Sequence, residues 1–130
     1  MTIRSTLLTQ LGTNLAAHTG FKLSDELPFD SAGTPLYEKN MKTVYVSEEE
    51  KEIVEHVPLL TGEIMQTGTS VTAYLTTDAK NQPSDIETVK SNVLLARTAV
   101  SNTFDSSSSV EIDIEDDKIT YTFEYNFLIV

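Results

Sequence analysis

The last twelve residues, Ile119 to Val130, constrain the fold more than any other stretch. They read ITYTFEYNFLIV. Ile119, Tyr121, Phe123, Tyr125, Phe127 and Ile129 fall at every second position, and Thr120, Thr122, Glu124 and Asn126 fall between them. Successive side chains of a strand point to opposite faces, so this pattern predicts a half-buried β-strand with one aromatic and aliphatic face. At ~3.3 Å per residue it would run roughly 40 Å, well beyond a common strand. Leu128, Ile129 and Val130 place apolar side chains on both faces at the end of the sequence. Most termini are polar and frayed, so a cover for this one is expected.

A strand needs neighbours, and the preceding residues supply the first. Val110, Ile112 and Ile114 alternate with Glu111, Asp113 and Glu115, and Asp116-Asp117-Lys118 reads as the turn of a β-hairpin. The serine run Ser106 to Ser109 reads as the loop before it. Further upstream, Val71, Ala73 and Leu75 alternate with Thr72, Tyr74 and Thr76, which predicts another strand, with Gly68 as the site of a bulge or bend. Lys42 to Ser47 (KTVYVS) is a short β-branched strand, and Ile53, Val54 and Val57 before Pro58 make a second short strand or rim segment. Between them, EEEKE at 48 to 52 reads as a solvated turn or strand edge.

Two segments change period from 2 to 3.6. Ile3, Leu7, Leu8, Leu11 and Leu15 form one helical stripe behind Thr2, a suitable N-cap, and predict a helix from about 3 to 17 that stops at Thr19-Gly20. Gly12 inside it costs about 1 kcal/mol relative to alanine, which points to close packing against another backbone. Ser84-Asp85-Ile86-Glu87 has the spacing of a capping box. Ile86, Val89, Val93, Leu94, Val100 and Phe104 continue its stripe, so a second helix is expected from about 85 to 102. Residues 21 to 41 are irregular and punctuated by Pro28, Gly33 and Pro35, yet Phe21, Leu23, Leu27, Phe29, Leu36 and Tyr37 recur. They predict a long ordered arm pinned by apolar side chains, and arms of this kind often contact neighbours.

The order helix, arm, strands, helix, hairpin predicts an α+β fold: a mainly antiparallel sheet with two amphipathic helices packed on one face. A chain of 130 residues without an internal repeat fits a single domain, 1–130, with the extended arm at about 21–41. No stretch approaches the ~20 apolar residues of a membrane-spanning helix, and MTIRSTLLTQLG lacks the basic start and apolar run of a secretory signal, so a soluble protein with no membrane partner is expected.

Charge and chemistry exclude more than they offer. Nine basic against twenty acidic residues give a net charge of -11, which disfavours duplex DNA and anionic membrane surfaces as ligands. There is no cysteine, hence no disulfide and no thiolate metal site. Glu111, Asp113 and Glu115 would line one strand face about 6.6 Å apart. Such a ladder does not converge on a cation as a calcium loop does, and reads instead as edge charge that blocks aggregation. His18 falls at the end of the first helix, where it suits the dipole, and His56 in a strand beside Glu55. Neither comes with a nucleophile at a set spacing. There is no glycine-rich phosphate loop, and the basic residues are dispersed. The aromatic ladder Tyr121, Phe123, Tyr125 and Phe127 lacks the cations of a base-stacking platform and reads as core. No catalytic residue, metal ligand or cofactor is expected, and the chain does not read as an enzyme.

The layout resembles that of the tail terminator proteins of long-tailed bacteriophages, the lambda-type minor tail protein family. An amphipathic N-terminal helix (Ile3 to Ala17) precedes an aromatic and proline-containing arm, FKLSDELPFDSAGTPLYE. A VYV strand at 44 to 46, an acidic segment and a strand ending in AYL at 73 to 75 follow. A proline-containing turn leads into a helix opening SDIE, and the chain closes in ITYTFEYNF, similar to the family's threonine- and tyrosine-rich terminal strand. It then runs past the usual aromatic end with Leu128, Ile129 and Val130.

The resemblance implies a structural virion protein at the head-proximal end of the tail, assembled in the host cytoplasm. It implies a homo-oligomer, a hexameric ring, that binds the last ring of the tail tube protein and stops its polymerisation. The ring presents a surface to a head completion or neck protein. DNA would pass through without specific binding, and an acidic lumen suits that passage. A ring would also cover the arm and the apolar terminus, which makes Phe29, Leu36, Tyr37, Leu128, Ile129 and Val130 the candidate subunit interface. Three alternatives follow from the same residues: another head-tail connector or tail ring protein, an acidic DNA-mimic binding protein with carboxylates spaced like phosphates, and a small enzyme with an unrecognised site.

Overall fold

A computed structural model of the chain describes residues 2–59, 62–101, 103 and 105–129, with the side chains of residues 52–66 and 129 outside that description. Helix α1 (Ile3–Leu15) is followed by strand β1 (Lys22–Leu23), the short helix α2 (Leu36–Lys39), β2 (Thr43–Val46), β3 (Glu50–Leu59) and β4 (Gly62–Asp78). Helix α3 (Ile86–Leu95) continues into a 3-10 turn at Ala96–Ala99, and β5 (Asp105–Glu115) and β6 (Lys118–Ile129) close the chain. The six strands form one mixed sheet in the order β1-β2-β4-β6-β5, with β3 pairing β4 beside β2. Only β1 and β2 run parallel; the other pairings are antiparallel. The fold is α+β.

The terminal strand is interior to the sheet, between β4 and the edge strand β5. β6 pairs β4 from Thr67↔Ile129 to Asp78↔Lys118, and pairs β5 from Asp105↔Leu128 to Glu115↔Lys118. The hairpin turns at Asp116 and Asp117, and Asp116 takes a φ of 53°, which aspartate tolerates better than most residues. β4 is long enough to outrun β6. Among the described residues, β4 beyond Thr67 pairs with β3 alone, as far as Leu59↔Gly62, as a two-stranded ribbon.

The core lies on one face of this sheet. Val71, Ala73 and Leu75 of β4, Tyr121, Phe123, Tyr125 and Phe127 of β6, and Val44 and Val46 of β2 are buried in one cluster with Leu7, Leu11 and Leu15 of α1 and Val89 and Val93 of α3. These are the alternate positions along each strand and the i, i+4 positions along each helix. Full burial of one such large apolar side chain contributes about 1.5–3 kcal/mol. Tyr125 is the largest fully buried side chain, and its hydroxyl donates to the Val93 carbonyl of α3. Burial pushes its phenol well above the ordinary tyrosine range. The third helix, α2, lies on the opposite face: Tyr37 stacks on Tyr74, whose side chain alternates with those of Ala73 and Leu75.

Several expectations are corrected. Helix α1 stops at Leu15, and Gly20 takes a left-handed φ of 92° before β1. Thr2 caps α1 as expected, and Ser5 completes a capping box with it. The α3 N-cap is Asp85 and not Ser84, and it makes no side-chain cap bond, because its carboxylate is taken by His18. The serine run is strand, not loop. Ser106 accepts from Arg97 Nη1 at 3.2 Å, and Ser108 donates to the Leu94 carbonyl at 3.2 Å, so hydroxyls facing the helices find partners there. The bulge lies between Ile53 and Glu55 of β3, while β4 passes Gly68 in continuous register with β6. Gly12 meets a side chain rather than a backbone: a Cβ there would stand 3.7 Å from Leu23 Cδ2, an ordinary contact. The expected apolar positions Phe104 and Val130 lie outside the described residues.

Candidate interaction surface

The arm is built from inside outward. Asp30 Oδ1 accepts from the amides of Ala32 at 2.9 Å and Thr34 at 2.8 Å, and Gly33 takes a φ of 82° to close this turn. The Thr34 amide, more than any other neighbour, draws the Asp30 carboxyl below its ordinary pKa. The turn brings Phe29 opposite Pro35, and the Leu36 amide donates to the Pro28 carbonyl at 2.7 Å. Three aromatic rings then lock together. Tyr37 stacks on Tyr74 at 4.5 Å, and Phe29 meets Tyr37 edge-on at 5.7 Å and Tyr74 at 5.8 Å. Desolvation raises the pKa of both tyrosines.

Arg4 fastens the start of the arm. Its Nε donates to the carbonyls of Val46 and Ser47, and its Nη2 to those of Val46 and Asp25, at 2.9–3.3 Å. Glu49 Oε1 accepts from the Arg4 amide at 2.8 Å, a carboxylate at a helix N-terminus. The side chain therefore joins α1, the arm and the end of β2. Neither role is legible in sequence, since the guanidinium is read by backbone carbonyls that every residue carries.

The six candidate interface residues fall into two places. Phe29 is 42% exposed, Leu36 half-buried and Tyr37 buried, so within the aromatic cluster only Phe29 presents much surface. Leu27 beside it is 41% exposed. Leu128 is half-buried and pairs with Gly68 and Asp105, and the backbone of Ile129 pairs with Thr67. The Ile129 side chain and Val130 lie outside the described residues. Tyr74 and Gly68 are separated by six positions on β4, roughly 20 Å. The strip between them is polar, with Ser70 donating to Asn126 Oδ1 at 3.0 Å. The arm and the C-terminal end are thus two patches on one face, not one.

The groups weighed for chemistry are placed apart. His18 is buried between α1 and α3. With its Nδ1 protonated it donates to Asp85 Oδ2 at 2.7 Å, and its Nε2 accepts from Asn92 Nδ2 at 2.7 Å. Both ring nitrogens are occupied, and no hydroxyl is bonded to either; the bond from His18 holds the Asp85 carboxyl below its ordinary pKa. The side chain of His56 lies outside the described residues. Glu111, Asp113 and Glu115 are exposed on β5, and among the described residues no group of three or more histidine or acidic side chains is arranged to hold a metal ion. Among the same residues, no helix is long and apolar enough to cross a membrane. A scan against protein-family models finds no match to this sequence, and a search of curated proteins finds none either.

Proposed function

We propose that this chain is a structural virion protein, a tail terminator whose copies form a hexameric ring on the last ring of the tail tube. The ring stops tube growth and offers a surface to a head completion or neck protein, and DNA passes through it without specific binding. The observation that carries this reading is the arm. It holds Leu27 and Phe29 at 41% and 42% exposure on a turn fixed by hydrogen bonds and by two tyrosine rings. An apolar patch held rigidly outside the core suits a subunit contact better than a mobile loop would, because little freedom is lost on association. A net charge of -11 suits a channel that must not retain DNA.

The test mixes the protein with tail tubes, reads ring formation by electron microscopy and reads mass by light scattering. Rings on tube ends are expected, and their loss in the Leu27→Asp, Phe29→Asp double variant. Deleting residues 128–130 should leave the circular dichroism spectrum intact and weaken assembly. A strict monomer at high concentration that also fails to join tubes would refute the reading. Another connector or tail ring would form rings without capping tubes. A DNA mimic draws support from the exposed carboxylate ladder on β5; it would stay monomeric or dimeric and compete with DNA for a basic protein.

A further inference from the structure

We infer that the outer edge of β5 is a docking site for an extended segment of another protein in which basic and apolar residues alternate, added to the sheet as a further strand. Among the described residues β5 is the last strand on its side of the sheet, so one row of its backbone amides and carbonyls faces outward along Asp105–Glu115. Its register with β6 runs unbroken from Asp105↔Leu128 to Glu115↔Lys118, and its sequence holds no proline and no lysine. A bulge, a proline, a lysine and a short length are all missing from this edge, and the charges that blunt it are acidic alone, so they turn away an acidic or neutral strand and not a basic one.

The two faces of this edge define the partner. On the helix side Ile112 is 52% exposed and Ile114 67%, although their partners on β6 are the buried Tyr121 and the half-buried Ile119. On the other side stand Glu111, Asp113 and Glu115. Asp113 and Glu115 also line a groove of about 420 Å³ with Tyr37, Glu38, Thr120 and Thr122. Cations already there are engaged: Lys118 donates to the Glu38 carbonyl at 3.2 Å, and Lys80 pairs with Asp117 at 3.4 Å. No described cation lies in ion-pair range of Asp113 or Glu115. An added strand would lay apolar side chains on Ile112 and Ile114 and basic ones against the carboxylates, the alternation that a pleated strand imposes.

A second copy of this chain does not fit. Pairing β5 with itself would set carboxylate opposite carboxylate, which destabilises a strand pair. β3 brings three glutamates against one lysine in EKEIVE, and β1 is two residues long and followed by Asp25 and Glu26. The same charges that exclude self-pairing select a basic partner. This inference does not depend on ring formation and fails or stands separately from it.

The experiment follows amide hydrogen exchange by NMR in the full chain, with and without the seven-residue peptide Lys-Val-Lys-Val-Lys-Val-Lys capped at both ends. Glu-Val-Glu-Val-Glu-Val-Glu serves as the control. The lysine peptide should slow exchange at least tenfold at β5 amides that point away from β6, and the glutamate peptide should not. Ile112→Lys with Ile114→Lys changes only exposed side chains and should weaken the effect at least tenfold while leaving the spectrum folded. Glu111→Lys with Asp113→Lys should do the same. Shift changes spread over the acidic surface without protection of β5 amides, equal protection by both peptides, or protection that survives both double variants would overturn the inference.

Discussion

β5 and β6 pair along nearly their whole length, and from Val110 onward β5 carries the same alternation, yet beyond the half-buried Val110 its apolar residues fare differently from those of β6. Tyr121, Phe123, Tyr125 and Phe127 on β6 are at most 4% exposed, whereas Ile112 and Ile114 on β5 are more than half exposed. The difference is lateral. Ile112 stands directly opposite Tyr121, so both are at the same level along the sheet. β6 has strands on both sides and helices above; β5 has a neighbour on one side only. Periodicity reports which face a side chain occupies, and the extent of the covering layer decides whether that face is buried.

The widest separation between the two strands should appear on truncation. Phe123→Ala should cost about 3–5 kcal/mol in urea denaturation, and Ile112→Ala less than about 1 kcal/mol. Equal losses would show that β5 is covered in solution. A smaller effect is expected from Tyr125→Phe, about 0.5–1.5 kcal/mol, because it keeps the ring and removes one hydrogen bond while the Val93 carbonyl still accepts from the Ala96 amide at the end of α3. Unchanged stability there would mean that the hydroxyl does not tie β6 to α3.

Alkaline titration should sharpen the contrast further. Tyr37, Tyr74 and Tyr125 have raised pKa values, so their neutral forms are favoured in the folded state. The stability they contribute is complete below the unfolded tyrosine value near 10 and is lost as pH rises through their higher folded values. Absorbance at 295 nm should therefore show fewer than the five tyrosines ionising near pH 10. The late ones should appear together with unfolding. All five ionising together near pH 10 with native circular dichroism would contradict this.

The smallest effect concerns the tie between the helices that cover β6. Asp85 has a folded pKa below its ordinary value because His18 bonds its carboxylate. Its contribution is present above the unfolded value and is lost as pH falls through the folded one. Asp85→Asn should flatten the fall in thermal midpoint below pH 4. An identical acid profile in variant and parent would show that His18 gains nothing from the carboxylate.

Much of the architecture was legible from local pattern. The terminal strand, its hairpin with Val110 to Ile114, the α1 stripe behind Thr2 and the ordered arm follow from periods of 2 and 3.6 and from turn residues. The errors share one cause. Ser106 to Ser109 read as a loop because serine has little strand preference, but pairing with Phe127 to Glu124 and bonds to Arg97 and Leu94 outweigh that. Asp85 replaced Ser84 at the helix start, and its carboxylate turned to a histidine 67 positions earlier. The candidate surface was legible only in part. Phe29 and Tyr37 stood out as apolar residues in an irregular segment, but nothing local placed both rings against Tyr74.

The sequence by itself determined the class of the fold, the face each strand residue occupies and the sign of the surface charge, since these depend on neighbours along the chain. Tertiary structure alone decided which alternating strand became core and which became edge. It set Phe29 on its two tyrosines, gave Arg4 its carbonyl partners, and separated the arm from the C-terminal end by most of a strand. Those outcomes depend on strand order and on the reach of the helices, which bring together residues that no local pattern connects.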